Sequence, residues 1–462
     1  MIALIGNGFF AVFAAQNDKS RVAIALGLAV VFAFAAIAPI SSYDFFWHLA
    51  TGRWIVEHHA LPIHDPFAIA SDRTPWINGE WLFDVVLYAI GGLGAASILR
   101  AIFVAITFAA AFYFSPKNSA LLFTALAFAG AFARLDLRPS TIAAGLLVAA
   151  IIAAKRSSIV FIIIAILWIN IHPSALLIPF VALALRPILT IPSALALLVN
   201  PFGWRAIAAP LTLTSFVGGG TFVNAEWLPS PPMLFPLLYI CVVIGVITFA
   251  MERKDIPRFI LFALLAYLAI AHVRNQGLFF AAFPLLATPI TRVPRSIAYA
   301  AAAALLVYVA IVSPHRDGLA EHRFPIASVE RLKATQLKGN VYNPDQFGGF
   351  LIWSFYPERR TLTDGRNELY HTYIGEYAKA RLDSRAWRAL LMKYRIDLAV
   401  DEHRGTLDVL DAVTKQHRAI PASLAYWPPR EWALIGGDDV SMVFARRAAF
   451  PREEIARWEL KR

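Results

Sequence analysis

Asp44 and His48 stand one helical turn apart in the segment Ser41–Trp54, so a helix there puts a carboxylate and an imidazole on one face. The carboxylate is ionised at neutral pH and can act as a base, and an imidazole can take or give a proton there. Further polar residues follow at intervals: Glu80, the triplet Arg134/Asp136/Arg138, the pair Asn170/His172, Glu226 beside Trp227, and His272/Arg274/Asn275. Arginine grips an anion through paired planar donors. Asp364 and Arg366 flank Gly365 much later in the chain.

The elements that must position these residues are mostly apolar. Of 462 residues 58% are hydrophobic and only 16% charged, where soluble domains carry about 45–50% and about 25%. Residues 22–312 hold nearly all the long apolar runs, and 313–462 has ordinary soluble composition. The reading is an α-helical polytopic membrane bundle of about eleven spans over 1–312, with a first outer loop at 41–94, then a soluble α/β domain over 313–462. Met1–Ala15 is too short as a helix for a hydrocarbon core of about 30 Å, and 22–40 reads as a retained first span rather than a removable signal. The net charge of +11 fits cytoplasmic loops rather than nucleic-acid binding. A single cysteine, Cys241, lies within an apolar run and excludes an intramolecular disulfide.

Candidate spans run at roughly 22–40, 95–114, 119–133, 139–154, 158–171, 173–186, 188–200, 232–251, 257–272, 276–290 and 294–312. With Lys19 and Arg21 inside, Lys117, Lys155-Arg156, Arg186, Arg253-Lys254-Arg258 and Arg292/Arg295 all fall in cytoplasmic loops, as the positive-inside rule expects. That alternation requires residues 79–92 not to cross fully. The N-terminus is then cytoplasmic and the C-terminal domain extracytoplasmic. The same topology gathers the ionisable residues named above at the outer face. Such residues at span ends are costly and mark substrate paths.

Ser41–Trp54 has the aromatics of a helix lying at the membrane interface. It is followed by Leu61-Pro62, Asp65-Pro66-Phe67 and Trp76…Glu80-Trp81-Leu82. An acidic residue just after the first helix, an interfacial helix and these motifs resemble the GT-C-type membrane glycosyltransferases, a superfamily that includes protein O-mannosyltransferases and lipid A aminoarabinose transferases. Further matches are Arg134-Leu135-Asp136-Leu137-Arg138-Pro139, Trp168-Ile169-Asn170-Ile171-His172, Asn200-Pro201-Phe202-Gly203-Trp204, Glu226-Trp227, Arg274-Asn275, Gly348-Gly349-Phe350-Leu351-Ile352-Trp353 and Asp364-Gly365-Arg366. The resemblance covers nearly the whole chain.

It implies a polyprenyl-phosphate sugar donor bound from the membrane and a glycan, lipid or protein acceptor entering from outside. By position Asp44 inherits the role of general base or metal-associated carboxylate. Phe45 follows it where many members have a second acid, which favours a metal-independent route over a divalent ion. Inverting transfer needs a carboxylate to take the acceptor's proton and cations to stabilise the departing phosphate. Arg134, Arg138 and Arg274 are candidate phosphate contacts, with Asn170, His172 and Asn275 beside them on the outer face. Asp136 orients an arginine or assists the base, Glu80 positions an acceptor hydroxyl, and His48 supports Asp44. Glu226, Asp364 and Arg366 are acceptor-side candidates.

Plainer roles stand beside each of these. Asp44 can cap a helix; Arg134 and Arg138 can hold lipid headgroups or pair with Asp136; Asn170 and His172 can satisfy broken backbone before Pro173. Glu226-Trp227 can anchor a loop, and Asp364 with Arg366 can form a structural pair in a tight turn. His48, His58, His59 and His64 share one loop without any HExxH or closed ligand spacing, so interfacial histidines are favoured over a metal set. Two rival functions remain: a lipid or lipid-linked glycan transporter, and a non-catalytic envelope assembly protein.

In the soluble domain Asn340–Asn343, Gly349–Phe355, Arg360–Thr363 and Ile396–Asp401 read as strands, and Tyr370–Arg381 and Ser384–Tyr394 as helices. Tyr426–Ile435 and Val440–Arg447 read as a hairpin across Gly436-Gly437-Asp438-Asp439.

Overall fold

A computed structural model describes residues 19–71, 75–116, 119–218, 225–252, 255–287, 294–313, 316–410 and 416–460. Met1–Ala15, Lys117, Arg253, Lys254 and Arg292 lie outside the described residues. The chain forms two compact units. The first comprises Met1–Ile40, Ile77–Phe83 and Gly91–Gly318; the second comprises Ser41–Trp76, Asp84–Ile90 and Leu319–Arg462.

In chain order the helices begin with α1 (Lys19–Ala36), α2 (Phe45–His58), α3 (Trp81–Ala89), α4 (Leu93–Phe114), α5 (Ala120–Ala131), α6 (Pro139–Ala154) and α7 (Ser158–Ile169). They continue with α8 (Ile178–Leu185), α9 (Thr190–Ala196), α10 (Arg205–Gly218), α11 (Pro236–Glu252), α12 (Ile256–Ala271), α13 (Gln276–Leu286) and α14 (Arg295–Val312). The Ala/Leu/Ile/Phe runs form helices because these side chains lose little freedom there or gain packing. In α4, Ala101, Val104, Ala105 and Phe108 are buried, while Ile98, Ile102 and Ile106 point outward at every fourth position. An apolar stripe on the outside of a bundle calls for lipid rather than water. The first unit is a membrane bundle on this ground.

By length and composition α1 and α4 are long enough to cross a membrane; eight other apolar helical segments among the described residues, counted with their adjoining 3-10 turns, run 10–17 residues. Proline explains two of the shortest. The spans expected at 173–186 and 188–200 each open with a 3-10 turn, Pro173–Leu177 and Pro187–Leu189, before α8 and α9, since proline suits a first turn but supplies no N–H. Helix α3 is nine residues long, about 14 Å, short of a crossing. Helix α10, wrapped around Pro210, is an element that hydropathy does not reveal.

Arg21, buried in α1, donates to the carbonyls of Phe112 and Ser115 at the end of α4. Arg100 of α4 donates to Ala36 and Ala38. Each arginine satisfies carbonyls left open at the C-terminal end of the neighbouring helix.

The second unit carries α15 (Ile326–Thr335), β1 (Asn340–Tyr342), α16 (Asp345–Phe355), α17 (His371–Ala380), α18 (Ser384–Lys393), β2 (Ile396–Glu402), β3 (Thr406–Leu410) and β4 (His417–Pro421). It ends with α19 (Ala422–Tyr426), β5 (Trp432–Gly437), β6 (Ser441–Arg446) and α20 (Arg452–Trp458). One sheet has the order β1-β2-β6-β5, with β1 parallel to β2 and the rest antiparallel; β3 and β4 form a separate hairpin. Two expected strands are corrected. Gly349–Phe355 lies in helix α16, and Arg360–Thr363 holds only isolated bridges at Thr361.

The aromatics of Ser41–Trp54 also behave differently from an interfacial helix. Phe45, Phe46 and Trp47 are buried in the second unit, and the Phe46 ring meets Phe324 and Phe350 edge-on at 5.3 and 4.9 Å. Trp47, Ala68, Ala70 and Trp76 join Tyr342, Trp387, Trp427 and Phe444 in one core. Protein packing, rather than headgroups, takes up these rings.

Candidate functional site

The first unit gathers four of the residues singled out by type. Pro139 fixes the start of α6, so Arg138 occupies its N-cap position in extended backbone, and Arg134 ends the 3-10 turn Phe132–Arg134. The Thr141 hydroxyl ties this turn down by donating to Asp136 O. Both nitrogens of the Arg138 fork engage the Glu226 carboxylate, and Arg134 Nη1 stands 4.0 Å from the same group. Arg274 lies over the Trp227 ring at 4.6 Å; Trp227 is held through its carbonyl by His272 Nδ1 at 2.7 Å. Arg134 and Arg138 thus share the Glu226 carboxylate, and Arg274 lies over the ring of the adjacent Trp227. Among the described residues, Arg134 Nε is buried with no hydrogen-bond partner. A buried donor of that kind is costly until an acceptor arrives.

Asp136 pairs with Arg100 at 3.2 Å, an arginine of α4 that sequence reasoning passed over. Glu80 and His172 approach to 3.8 Å. His172 caps the turn after α7 by accepting from Ser174 N. Asn170 donates to the carbonyls of Ile166 and Val199 and accepts from the Trp81 indole. Asn275 donates to Leu268 O at the end of α12. Both amides serve the backbone where helices break.

The second unit holds Asp44. It occupies the N-cap position of α2 with no side-chain capping bond, so its carboxylate is turned from the amides such a residue usually serves. The Trp47 indole N–H donates to Asp44 Oδ1 at 3.3 Å. One turn on, His48 Nδ1 meets Asp84 Oδ1 at 2.6 Å, and both side chains are buried. Gly52 lets α2 approach this close, because a Cβ there would lie 2.0 Å from Asp84 O.

Asp364-Gly365-Arg366 is a compact turn against Asp44. Arg366 is wholly buried and donates to Asp364 and to Asp65, at 3.0 Å for the latter. The Tyr370 hydroxyl completes the Asp364 carboxylate at 2.5 Å. The guanidinium lies over the Trp76 ring at 4.5 Å. Burial disfavours its charge, yet the Asp364 and Asp65 carboxylates more than offset this and hold it protonated. Burial pushes the Asp65 carboxyl up, against the pull of Arg366 and the amides of Phe67 and Ala68. Gly365 itself faces the Asp44 carboxylate.

Asp345, at the start of α16, also belongs to this neighbourhood and escaped sequence reasoning. The Gly348-Gly349 step one turn later lets α16 lie against two backbones. A Cβ on Gly349 would come within 2.8 Å of Tyr43 O, and one on Gly348 within 2.1 Å of Thr363 O. Asp345 is solvent-accessible yet hemmed in by protein, which raises its carboxyl above the usual range; Glu402 and Asp44 push the same way. Asp84 and Arg100 carried a legible signal, as lone charges within apolar runs are costly unless paired. Asp345 carried none beyond its place in a Pro-Asp turn. Among the described residues no group of three or more His, Cys, Asp or Glu side chains gathers as a metal set.

No protein-family model matches the sequence, and no curated protein sequence matches it. Solved structures do. The chain is similar to the oligosaccharyltransferase of Archaeoglobus fulgidus in the apo form, with a TM-score of 0.58 at 10% identity over 88% of this chain and 75% of that one. The archaeal oligosaccharyltransferase AglB from Archaeoglobus fulgidus, in complex with an inhibitory peptide and a dolichol-phosphate, matches at 0.52 and 10% identity over 87% and 74%. ArnT from Cupriavidus metallidurans bound to undecaprenyl phosphate matches at 0.51 and 10% identity over 94% and 100%. The likeness to these solved structures covers most of the chain and is one of fold.

Proposed function

We propose that this chain is a membrane glycosyltransferase that moves a sugar from a polyprenyl-phosphate-linked donor to an extracytoplasmic acceptor. The observation that carries the reading is the cluster of Arg134, Arg138 and Arg274 around Glu226 and Trp227, with its buried unsatisfied N–H. Guanidinium forks match phosphate oxygens two at a time, and two similar structures contain dolichol-phosphate and undecaprenyl phosphate. In the reaction the acceptor's nucleophilic atom bonds to the anomeric carbon as the bond to the carrier phosphate oxygen breaks. Asp44 takes the acceptor's proton, and the arginines stabilise the phosphate that departs with the electron pair. His48 supports Asp44, Asp136 holds Arg100, and Glu80 with His172 positions the acceptor hydroxyl. Asn170 and Asn275 shape the helix breaks around the donor, and Asp364 and Arg366 shape the acceptor side. A metal-independent route is favoured over one with a divalent ion, because Phe45 follows Asp44.

The bundle crosses the membrane about eleven times, with the N-terminus cytoplasmic and residues 313–462 outside.

The test is carrier release in nanodiscs from a panel of polyprenyl-phosphate sugars, with a mixed envelope-glycan extract as acceptor. Release by wild type, lost in Asp44→Asn with donor binding retained, supports the transferase. Donor binding with no release in either protein supports a lipid-linked glycan transporter instead. No donor binding at all points to an assembly protein.

A further inference from the structure

Trp47 is one residue of the second unit that acts directly on the Asp44 carboxylate. Its indole N–H donates at 3.3 Å, and two groups lie against its ring. The His48 imidazole lies against it, ring centres 3.6 Å apart, and His48 is fixed through Nδ1 by Asp84 at 2.6 Å. The Arg366 guanidinium lies over the Trp47 ring at 5.6 Å, itself locked by Asp364 and Asp65. A side chain clamped this way presents its N–H in one direction, and a fixed donor costs no reorganisation during reaction.

We propose that Trp47 is a positioning residue for Asp44, setting both the direction and the basicity of the carboxylate, with Asp84 and His48 as the brace behind it. The inference rests on the reading of Asp44 as the base. An N–H bond to a carboxylate favours its ionised form, so Trp47 keeps Asp44 deprotonated where Asp345 opposes that. The charged or titratable groups around the pair are His48 on the same helix, Asp84 behind it, Arg366 and Asp364 in the facing turn, and Asp345 at the start of α16. Arg323 lies over the ring of the neighbouring Tyr43. Trp47 has a bland alternative, that of a buried core ring. Its indole N–H separates the two roles, because a core ring does not need one.

The experiment compares wild type, Asp44→Asn, Trp47→Phe and a protein carrying 3-benzothienylalanine at position 47, which keeps the bicyclic shape and lacks the N–H. Two readouts are taken: the pH profile of carrier release, and the aspartate carboxyl signals by carbon-13 NMR titration, with Asp44 assigned by its disappearance in Asp44→Asn. Both position-47 variants are expected to raise the Asp44 titration and move the acid limb of the profile upward by about one pH unit. Release at neutral pH falls about tenfold, with donor KM unchanged. An Asp44 signal that titrates alike in all three proteins overturns the inference, whatever the activities. If Asp44→Asn remains fully active while the Asp44 signal moves in the position-47 variants, the base reading fails and the Trp47–Asp44 coupling stands.

Discussion

Gly365 lies so close to Asp44 that a Cβ there would come within 2.7 Å of the carboxylate Oδ1. The atom in the way is the end of a short side chain rather than backbone, so an added methyl displaces the carboxylate more readily than the fold. Gly365→Ala is therefore expected to keep its thermal midpoint within a few degrees of wild type and to lose carrier release by about tenfold or more, as a misplaced catalytic group does. Gly348→Ala is the opposite case. Its methyl would meet Thr363 O at 2.1 Å, backbone that cannot swing aside, and it is expected to cost about 1–3 kcal/mol of stability. Unfolding midpoints and release rates of the two variants separate the effects; a large loss of midpoint in Gly365→Ala would refute the assignment.

The same glycines show where sequence reading reached and where it stopped. The bundle was legible because runs such as Ala120–Ala131 and Pro139–Ala154 leave no alternative to an apolar helix, and α6 spans the residues expected of it. Gly349–Phe355 read as a strand because it lies between the Pro344-Asp345-Gln346 and Pro357-Glu358 turns, and glycine is a poor helix former. Tertiary contact reversed that, since only a side-chain-free face lets α16 lie on the backbones at Tyr43 and Thr363. Charge partners were the least legible. Asp136 stands two residues from Arg134 and Arg138, and it also makes an ion pair at 3.2 Å with Arg100 on another helix, a partner that only packing brings near.

The arginine cluster predicts a donor-binding defect. Arg134→Gln, Arg138→Gln and Arg274→Gln should each weaken binding of a polyprenyl-phosphate donor by about tenfold, the scale of one charge-assisted contact. Arg134→Lys should not restore it, because a point ammonium cannot reproduce the guanidinium fork. Equilibrium binding in nanodiscs measures this directly. Wild-type affinity in all three Gln variants would remove the cluster from the phosphate site.

Arg366 predicts a stability defect of a different kind. Arg366→Met leaves Asp364 and Asp65 buried without their shared cation, and breaking such a pair costs about 3–5 kcal/mol. Adding Asp65→Asn to Arg366→Met should recover part of the loss, because one of the stranded charges is then neutral. Chemical unfolding of the purified protein gives both values. A loss below about 1 kcal/mol in the single variant would argue against a structural ion pair.

Asp345 makes the pH prediction. Its folded carboxyl is raised, first by the protein surrounding it and then by Glu402 and Asp44, so between the usual carboxylate value and the folded one the native state binds more protons than the unfolded chain. Stability from this group is present below that window and declines as pH rises through it. Tyr373 is the other titratable neighbour, and its hydroxyl is itself pushed up by burial, out of the range concerned. Asp345→Asn removes the titration while keeping the shape. The variant should gain on wild type as pH rises from 4 to 8, and the difference in thermal midpoint should be larger at pH 8 than at pH 4. Tryptophan fluorescence melts at the two pH values test it. A wild type that gains on the variant with rising pH would mean that the helix N-terminus and the Gln346 amide, which favour the ionised form, outweigh burial and the neighbouring carboxylates.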